Sequence, residues 1–508
     1  MIALPEHCAA EYQTLRLRIA RLVTAKGFAV VAAVTTTGAA VRVFHLGAQS
    51  LWLDELFSVF LARRDWSAIV TGTALDQEPP LYYFLLHLAL QWNAGEMAAR
   101  LVSVVFAIAT IPLLFALARA MFDDRTAVAS TIILSLSPFQ VSFAQEARMY
   151  AQLTFFTLVA LYGFVQAWRG GLLEGWVLFS VGTSLALYTH NLAILNLVAV
   201  DVFAALDSER RRIRLRGLFI ANACIIVLFS PWLAVLPQQI VGVYGGYWEA
   251  PASLIGLVST PVLFVFGNSL SLLAAPPALF SVTGLLAFGL MDAARGIVKD
   301  KRERLSLGLC LSVFFIPVTL LFAVSLMRPV WVPRTIIPAS LGLYLLLGWG
   351  VAHARPRALN VVFGAAAIVS MVLGLMNYYS DPLVQKPAMR EAAQALASVY
   401  RQGDAVAHTS DSSALGFMYY APNLPNEFLK GDPDYENQTS RGRGGEIAGL
   451  VPVDWDTIAA GHHRLWLVVA LDHNVDYQRV QVEEAAGRFS PGAVQNVSGI
   501  YLMLFTQP

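Results

Sequence analysis

Long apolar runs separated by short polar turns fill the chain up to Met376, and after Tyr378 the pattern changes to short alternating segments. An apolar run of about 20 residues is what a helix needs to cross a bilayer. By that measure the chain predicts about eleven spans: 28–46, 97–118, 126–143, 151–168, one ending at Tyr188, one ending at Asp207, 217–236, one ending at Arg295, 305–326, 336–351 and 359–376. Two early runs do not fit. Residues 56–62 stop at Arg63-Arg64-Asp65, and 80–92 are apolar for only about 13 residues, too few to cross. Both are predicted as juxtamembrane helices at the interface, where Trp66, Tyr82, Tyr83 and Trp92 are at home. A crossing helix at Pro80 is the alternative, and it would move Glu146 to the opposite face. The short run 254–266, interrupted by Pro261, is predicted as re-entrant or interfacial. Beyond Tyr378, a helix at 387–400, a short apolar run at 404–408, strands at 465–471 and 500–505, and a helix at 475–486 predict a small α/β domain.

Composition supports this division. The chain is 57% apolar and only 14% charged, whereas soluble domains are nearer 45–50% and 25%. The expected fold class is therefore an α-helical polytopic membrane protein, 1–377, with an outer loop at 47–96, followed by an extracytoplasmic α/β domain, 378–508. Basic clusters mark cytoplasmic span ends. Arg16, Arg18, Arg21 and Lys26 put the N-terminus inside. Arg119 and Arg125, Arg169, the five arginines between Arg210 and Arg216, the stretch from Arg295 to Arg304, and Arg355 with Arg357 mark later inside turns. That orientation leaves the C-terminal domain outside. Charge agrees: from Tyr378 onward 15 acidic residues face 9 basic ones, against 19 and 26 in the rest. Cys8, Cys224 and Cys310 are too few and too scattered for a disulfide framework or a metal cluster. The C-terminal domain has no GxGxxG or P-loop, so nucleotide binding there is unsupported, and no nucleic-acid partner is expected.

The same orientation places three acidic stretches on the outer face. They are Gln49-Ser50-Leu51-Trp52-Leu53-Asp54-Glu55, then Glu78-Pro79-Pro80-Leu81-Tyr82-Tyr83, then Gln145-Glu146-Ala147-Arg148-Met149-Tyr150. His190 and, around Pro329-Val330-Trp331-Val332-Pro333, Arg328 and Arg334 follow on that side. A carboxylate within reach of a hydroxyl can take its proton as the oxygen attacks. Guanidinium groups bind phosphate oxygens bidentately. A divalent cation, Mg or Mn, is compatible with the hard oxygens of Asp54, Glu78 and Glu146. The outer loop 237–253, with Tyr244, Tyr247, Trp248 and Glu249, offers rings that can stack on a sugar.

In order, spacing and sidedness these stretches resemble the GT-C superfamily of polytopic glycosyltransferases. The nearest branch resembles the bacterial relatives of protein O-mannosyltransferases and the lipid A aminoarabinose transferase. The resemblance implies a catalytic acid after the first span, here Asp54, with Glu55 and Glu146 as further catalytic candidates. It also implies a sugar donor on a polyprenyl phosphate, with Glu78, Tyr82, Tyr83, Arg148, Tyr150, His190, Arg328 and Arg334 as substrate-binding candidates. The expected reaction is inverting transfer to a glycan, glycolipid or protein acceptor at the outer face of a bacterial cytoplasmic membrane. Two positions depart from the pattern: Glu78 stands where many relatives carry a basic residue or His, and Thr335 stands where Tyr often follows the second Arg. A lipid or glycolipid transporter is the rival reading. It calls for mid-span charges and internal repeats, whereas the charges here gather at one face.

Overall fold

The computed structural model describes residues 25–507 apart from 209–210, 245–250, 272–273, 295–299, 354, 438 and 471–473. The N-terminal cluster Arg16, Arg18 and Arg21, together with Cys8, Arg210, Tyr247, Trp248, Glu249 and Arg295, lies outside the described residues.

The first apolar run forms α1 (Ala25–Val43). Three short helices follow, α2 (Leu53–Ala62), α3 (Trp66–Leu75) and α4 (Leu81–Trp92). Asp65 caps α3 by accepting from the Ala68 N–H at 2.9 Å. At 1.5 Å per residue each of the three is at most about 18 Å long, so α4 does not cross as the alternative at Pro80 would require. Next come α5 (Glu96–Met121), α6 (Asp124–Leu136), α7 (Pro138–Ala144), α8 (Tyr150–Gly170), α9 (Leu173–Thr189) and α10 (Ile194–Leu206). The membrane part closes with α11 (Arg211–Leu233), α12 (Leu236–Tyr244), α13 (Leu254–Phe266), α14 (Ala275–Ala294), α15 (Lys301–Ser325), α16 (Ala339–His353) and α17 (Arg357–Ser380). Among the described residues six helices are long and apolar enough to cross a membrane, or seven if the bent pair α6–α7 is one span. The chain is a multi-pass membrane protein.

Two expectations are corrected. The single span predicted over 126–143 is broken between α6 and α7 by a 56° bend. Pro138 has no N–H to give the Leu134 carbonyl, so the helical ladder ends there. Arg42 of α1 takes over that bonding, donating to the carbonyls of Leu134 at 3.0 Å and Ser135 at 2.9 Å, and it is itself 1% exposed. A cation on the last carbonyls of a helix is also favoured by the helix dipole. The second correction concerns the predicted outer loop after the seventh span. Its first part is helical, as α12, because a moderately amphipathic run follows Pro237.

The helices α8 and α9 form a tight antiparallel hairpin. A Cβ on Gly163 would lie 2.5 Å from the Phe179 backbone nitrogen, and one on Gly175 would lie 2.5 Å from that of Ala167. Only glycine admits such a backbone approach, the small-residue packing typical of membrane helices. The Gln152 amide donates to Thr189 Oγ at 2.9 Å and ties the hairpin's open end together.

Two compact units emerge. One comprises residues 25–44, 100–235 and 251–384 and contains most of the spans. The other comprises 45–99, 236–244 and 385–507: the short helices α2–α4, α12 and the C-terminal domain. In that domain α18 (Met389–Val399) precedes β1 (Ala405–His408), α19 (Asp411–Tyr420), β2 (Asn426–Leu429), α20 (Pro433–Glu436), α21 (Ser440–Ala448) and β3 (Pro452–Val453). It finishes with α22 (Trp455–Ala459), β4 (Arg464–Ala470), α23 (Val475–Arg488), β5 (Ser490–Val497) and β6 (Ile500–Thr506). The sheet order is β3-β2-β1-β4-β6-β5, parallel from β3 to β4 and antiparallel beyond. Alternate residues serve two cores. Val406, Trp466, Val468 and Leu502 pack with Met389, Leu396 and Phe417, while Ala407, Leu465, Leu467 and Phe505 pack with Ile458, Ala485 and Phe489.

Candidate functional site

The stretch before α2 leads into a helix whose first turn carries Asp54 and Glu55. Carboxylates there favour the positive end of the helix. Asp54 is half-buried, and its carbonyl accepts from Ser58 Oγ at 2.8 Å. Glu55 is fully buried; it accepts from the Trp52 N–H at 3.4 Å and pairs with the Lys386 ammonium at 2.8 Å. That geometry gives Glu55 a bracing role within its unit.

Glu78, buried, enters α4 through Pro79 and Pro80, a rigid approach that fixes where the helix begins. Tyr82 and Tyr83 are fully buried on α4, with ring centroids 6.0 Å apart. Tyr83 meets the Phe57 ring of α2 edge-on at 6.2 Å. It therefore packs the two short helices against each other.

In the other unit, the chain leaves α7 at Gln145 and enters the buried turn that carries Glu146 and Arg148. The Arg148 N–H donates to the Glu146 carbonyl at 2.8 Å, and the Arg148 carbonyl accepts from Ser103 Oγ at 2.9 Å. Upstream, the Gln145 amide donates to the carbonyls of Arg42 at 2.9 Å and Phe44 at 2.6 Å, which fixes the turn to the end of α1. Glu146 and Arg148 are both buried. Tyr150 opens α8, and His190 follows α9 at the same end of the glycine-packed hairpin. Their rings stand 6.4 Å apart, and the Arg334 guanidinium lies 6.0 Å over the Tyr150 ring, within cation–π range.

His190, in the turn between α9 and the short 3₁₀ helix Asn191–Ala193, is 4% exposed. Its Nδ1 accepts from the Leu192 N–H at 3.1 Å, which leaves Nε2 to carry the proton of a neutral ring. Burial, and then the nearby charges of Arg148 and Arg334, push the imidazole down to about 3. The ring is thus uncharged at any physiological pH and feels two nearby fixed cations. Two guanidinium groups beside a neutral N–H donor form a receptor for an anion such as phosphate. Arg334 sits half-buried in a 3₁₀ turn, Pro333–Ile336, whose φ is set by Pro333. Arg328 is exposed after the end of α15.

The structure thus brings Arg148, Tyr150, His190 and Arg334 together in one unit. Asp54, Glu55, Glu78, Tyr82 and Tyr83 belong to the other. Among the described residues no group of three or more His, Cys, Asp or Glu side chains is gathered to hold a metal ion. Reading the sequence for acidic stretches passes over Arg42 and Lys386. A charge inside the first apolar run was the signal for Arg42; for Lys386 no local signal exists.

The family model described as "Dolichyl-phosphate-mannose-protein mannosyltransferase" matches residues 77–234. Among solved structures, ArnT from Cupriavidus metallidurans bound to undecaprenyl phosphate matches with a TM-score of 0.64 and 14% identity, over 95% of this chain and 98% of that one. Its apo state matches with a TM-score of 0.63 and 14% identity, over 94% and 98%. The oligosaccharyltransferase of Archaeoglobus fulgidus tethered with an acceptor peptide matches with a TM-score of 0.52 and 10% identity, over 95% of this chain and 74% of that one. No curated protein matches the chain by sequence.

Proposed function

From a chain with the GT-C glycosyltransferase fold, we propose an enzyme that transfers a sugar from a polyprenyl-phosphate donor to an acceptor hydroxyl, with inversion, at the outer face of a bacterial cytoplasmic membrane. The observation that carries this reading is the largely buried cluster of His190, Tyr150, Arg148 and Arg334, which supports a receptor for a lipid phosphate. Tyr150 holds Arg334 from below through its ring face. Asp54, in the first turn of α2, is the carboxylate that faces the acceptor.

The acceptor oxygen bonds to the anomeric carbon as the bond from that carbon to the phosphate oxygen breaks. The electron pair leaves on the polyprenyl phosphate, and the acceptor's proton passes to Asp54. Attack from the side opposite the leaving group inverts the anomeric centre. Fixed guanidinium charges stabilise the phosphate as its negative charge grows. The acceptor is a glycan, glycolipid or protein hydroxyl.

Purified protein given a radiolabelled polyprenyl-phosphate sugar and crude envelope acceptor is the test. Wild-type protein releases polyprenyl phosphate and labels the acceptor, and Asp54→Asn, folded by thermal melt, does neither. Normal turnover by that variant removes Asp54 from its role, and movement of intact donor across a vesicle without cleavage would make the protein a transporter instead.

A further inference from the structure

The segment that leads to Asp54, Gly47 to Leu51, is held by the C-terminal domain. Both belong to the same compact unit. The Leu51 N–H donates to Tyr420 Oη of α19 at 2.7 Å. Ser50 Oγ donates to Glu391 Oε2 at 3.0 Å and accepts from the Arg390 N–H at 3.1 Å. The Arg390 guanidinium reaches the Gly47 carbonyl at 3.3 Å. The Lys386 N–H donates to Gln49 Oε1 at 3.2 Å, while its ammonium pairs with Glu55. Every position from Gly47 to Leu51 except Ala48 and every charged partner just named is thus tied to residues 386–420.

A second layer fixes the clasp itself. Glu96, at the start of α5, accepts from Arg390 Nε at 3.2 Å and Nη2 at 2.5 Å, and also from the Tyr420 hydroxyl. Tyr420 Oη therefore donates to Glu96 and accepts from Leu51, using both of its hydrogen-bonding capacities. Burial, and then the Glu96 carboxylate beside it, drive the phenol far above its ordinary range. The hydroxyl keeps its proton, and with it the donor half of this relay, across the whole working pH range. A charge-assisted, largely buried network of this kind holds a backbone more rigidly than loop bonds exposed to water.

We infer that Tyr420, with Arg390 and Glu96 behind it, is a positioning residue that sets the Asp54 carboxylate for proton transfer, so that the C-terminal domain is part of the catalytic apparatus. This rests on the assignment of Asp54 under Proposed function. None of these three residues needs to touch substrate. Their effect travels through the Leu51 backbone, three residues before Asp54. Displacing a catalytic group by about 1 Å costs on the order of 100-fold in rate, so loss of one buried bond in this clasp should be visible in turnover.

The test uses full-length protein in lipid nanodiscs. Tyr420→Phe keeps the ring and removes only the hydroxyl; it should lower kcat about 10- to 100-fold with the donor KM unchanged, and speed deuterium exchange in the 47–55 peptide. Arg390→Lys, which keeps the charge but not the bidentate fork, should give a smaller loss of the same kind. Wild-type kcat in both clasp variants, or unchanged deuterium exchange of the 47–55 peptide in Tyr420→Phe, overturns the inference while leaving Asp54 in place. An active Asp54→Asn protein overturns the parent reading instead, and the deuterium exchange still reports whether the clasp orders the loop.

Discussion

At the scale of single residues, the same side-chain chemistry takes different roles according to its surroundings. Asp54 and Glu55 are neighbours with equal claims as carboxylates. Glu55 is fully buried and ion-paired to Lys386, whereas Asp54 is half-buried at the helix surface. Breaking a buried pair from one side leaves an uncompensated charge. Glu55→Gln should therefore destabilise the protein by about 3 kcal/mol, with Lys386→Met recovering part of that loss in the double variant. Denaturation of the two single variants and the double variant measures the coupling. Asp432, in the C-terminal domain, titrates unusually. Burial, then the nearby carboxylates of Asp411 and Asp434, raise it from 3.8 to about 6, against the pull of the Asp434 N–H. The folded pKa exceeds the unfolded one, so this group's stabilising contribution is complete below about pH 4 and is lost as pH rises through 6. Asp432→Asn, which keeps the Oδ1 acceptor for the Asp434 N–H and for Asn474, should thus be more stable than wild type at pH 8 by about 2 kcal/mol. That advantage should disappear near pH 4. Thermal melts at the two pH values check it, and an equal shift at both would contradict the assigned cause.

At the scale of elements, the phosphate receptor depends on two breaks and one close contact. Pro138 ends α6, Arg42 caps it, and the chain then turns through Gln145 to Arg148. Arg42→Met should leave the Leu134 and Ser135 carbonyls without that donor and loosen the turn. A reduced thermal midpoint together with weaker donor binding is the expected pair of effects. The antiparallel α8–α9 hairpin brings Tyr150 and His190 to one end, and its glycines set how closely the two backbones approach. Gly163→Val would drive a side chain into the Phe179 backbone, so binding of a polyprenyl phosphate should fall at least 10-fold, read by titration in nanodiscs. Unchanged affinity would show that the hairpin spacing does not set the receptor.

At the scale of the whole molecule, the basic clusters imply a sidedness that can be measured directly. In a cysteine-free background, a membrane-impermeant maleimide should label Asn437→Cys on intact spheroplasts, and Arg125→Cys and Lys301→Cys only after permeabilisation. All three positions are exposed. Labelling of Arg125→Cys from outside would invert the orientation and remove Glu146 and Arg148 from the outer face.

The apolar runs, the basic turns and the switch to alternation after Tyr378 were enough to establish a multi-pass helical protein with a small α/β tail. That α2 and α4 are helices too short to cross the hydrocarbon was equally readable from the runs 56–62 and 80–92. These are local properties, set by the length and period of hydrophobic segments. Strand β5 was not readable: it is an exposed edge strand containing Pro491 and Gly492, without buried alternation. The candidate side chains were named from their types and order, but their roles were not fixed that way. That Glu55 is paired by a lysine 331 residues away, that His190 is buried near the charges of two arginines, and that Tyr420 grips the Leu51 backbone all depend on long-range contacts. No local pattern encodes those, because each arises only when distant segments pack and exclude water around a charge.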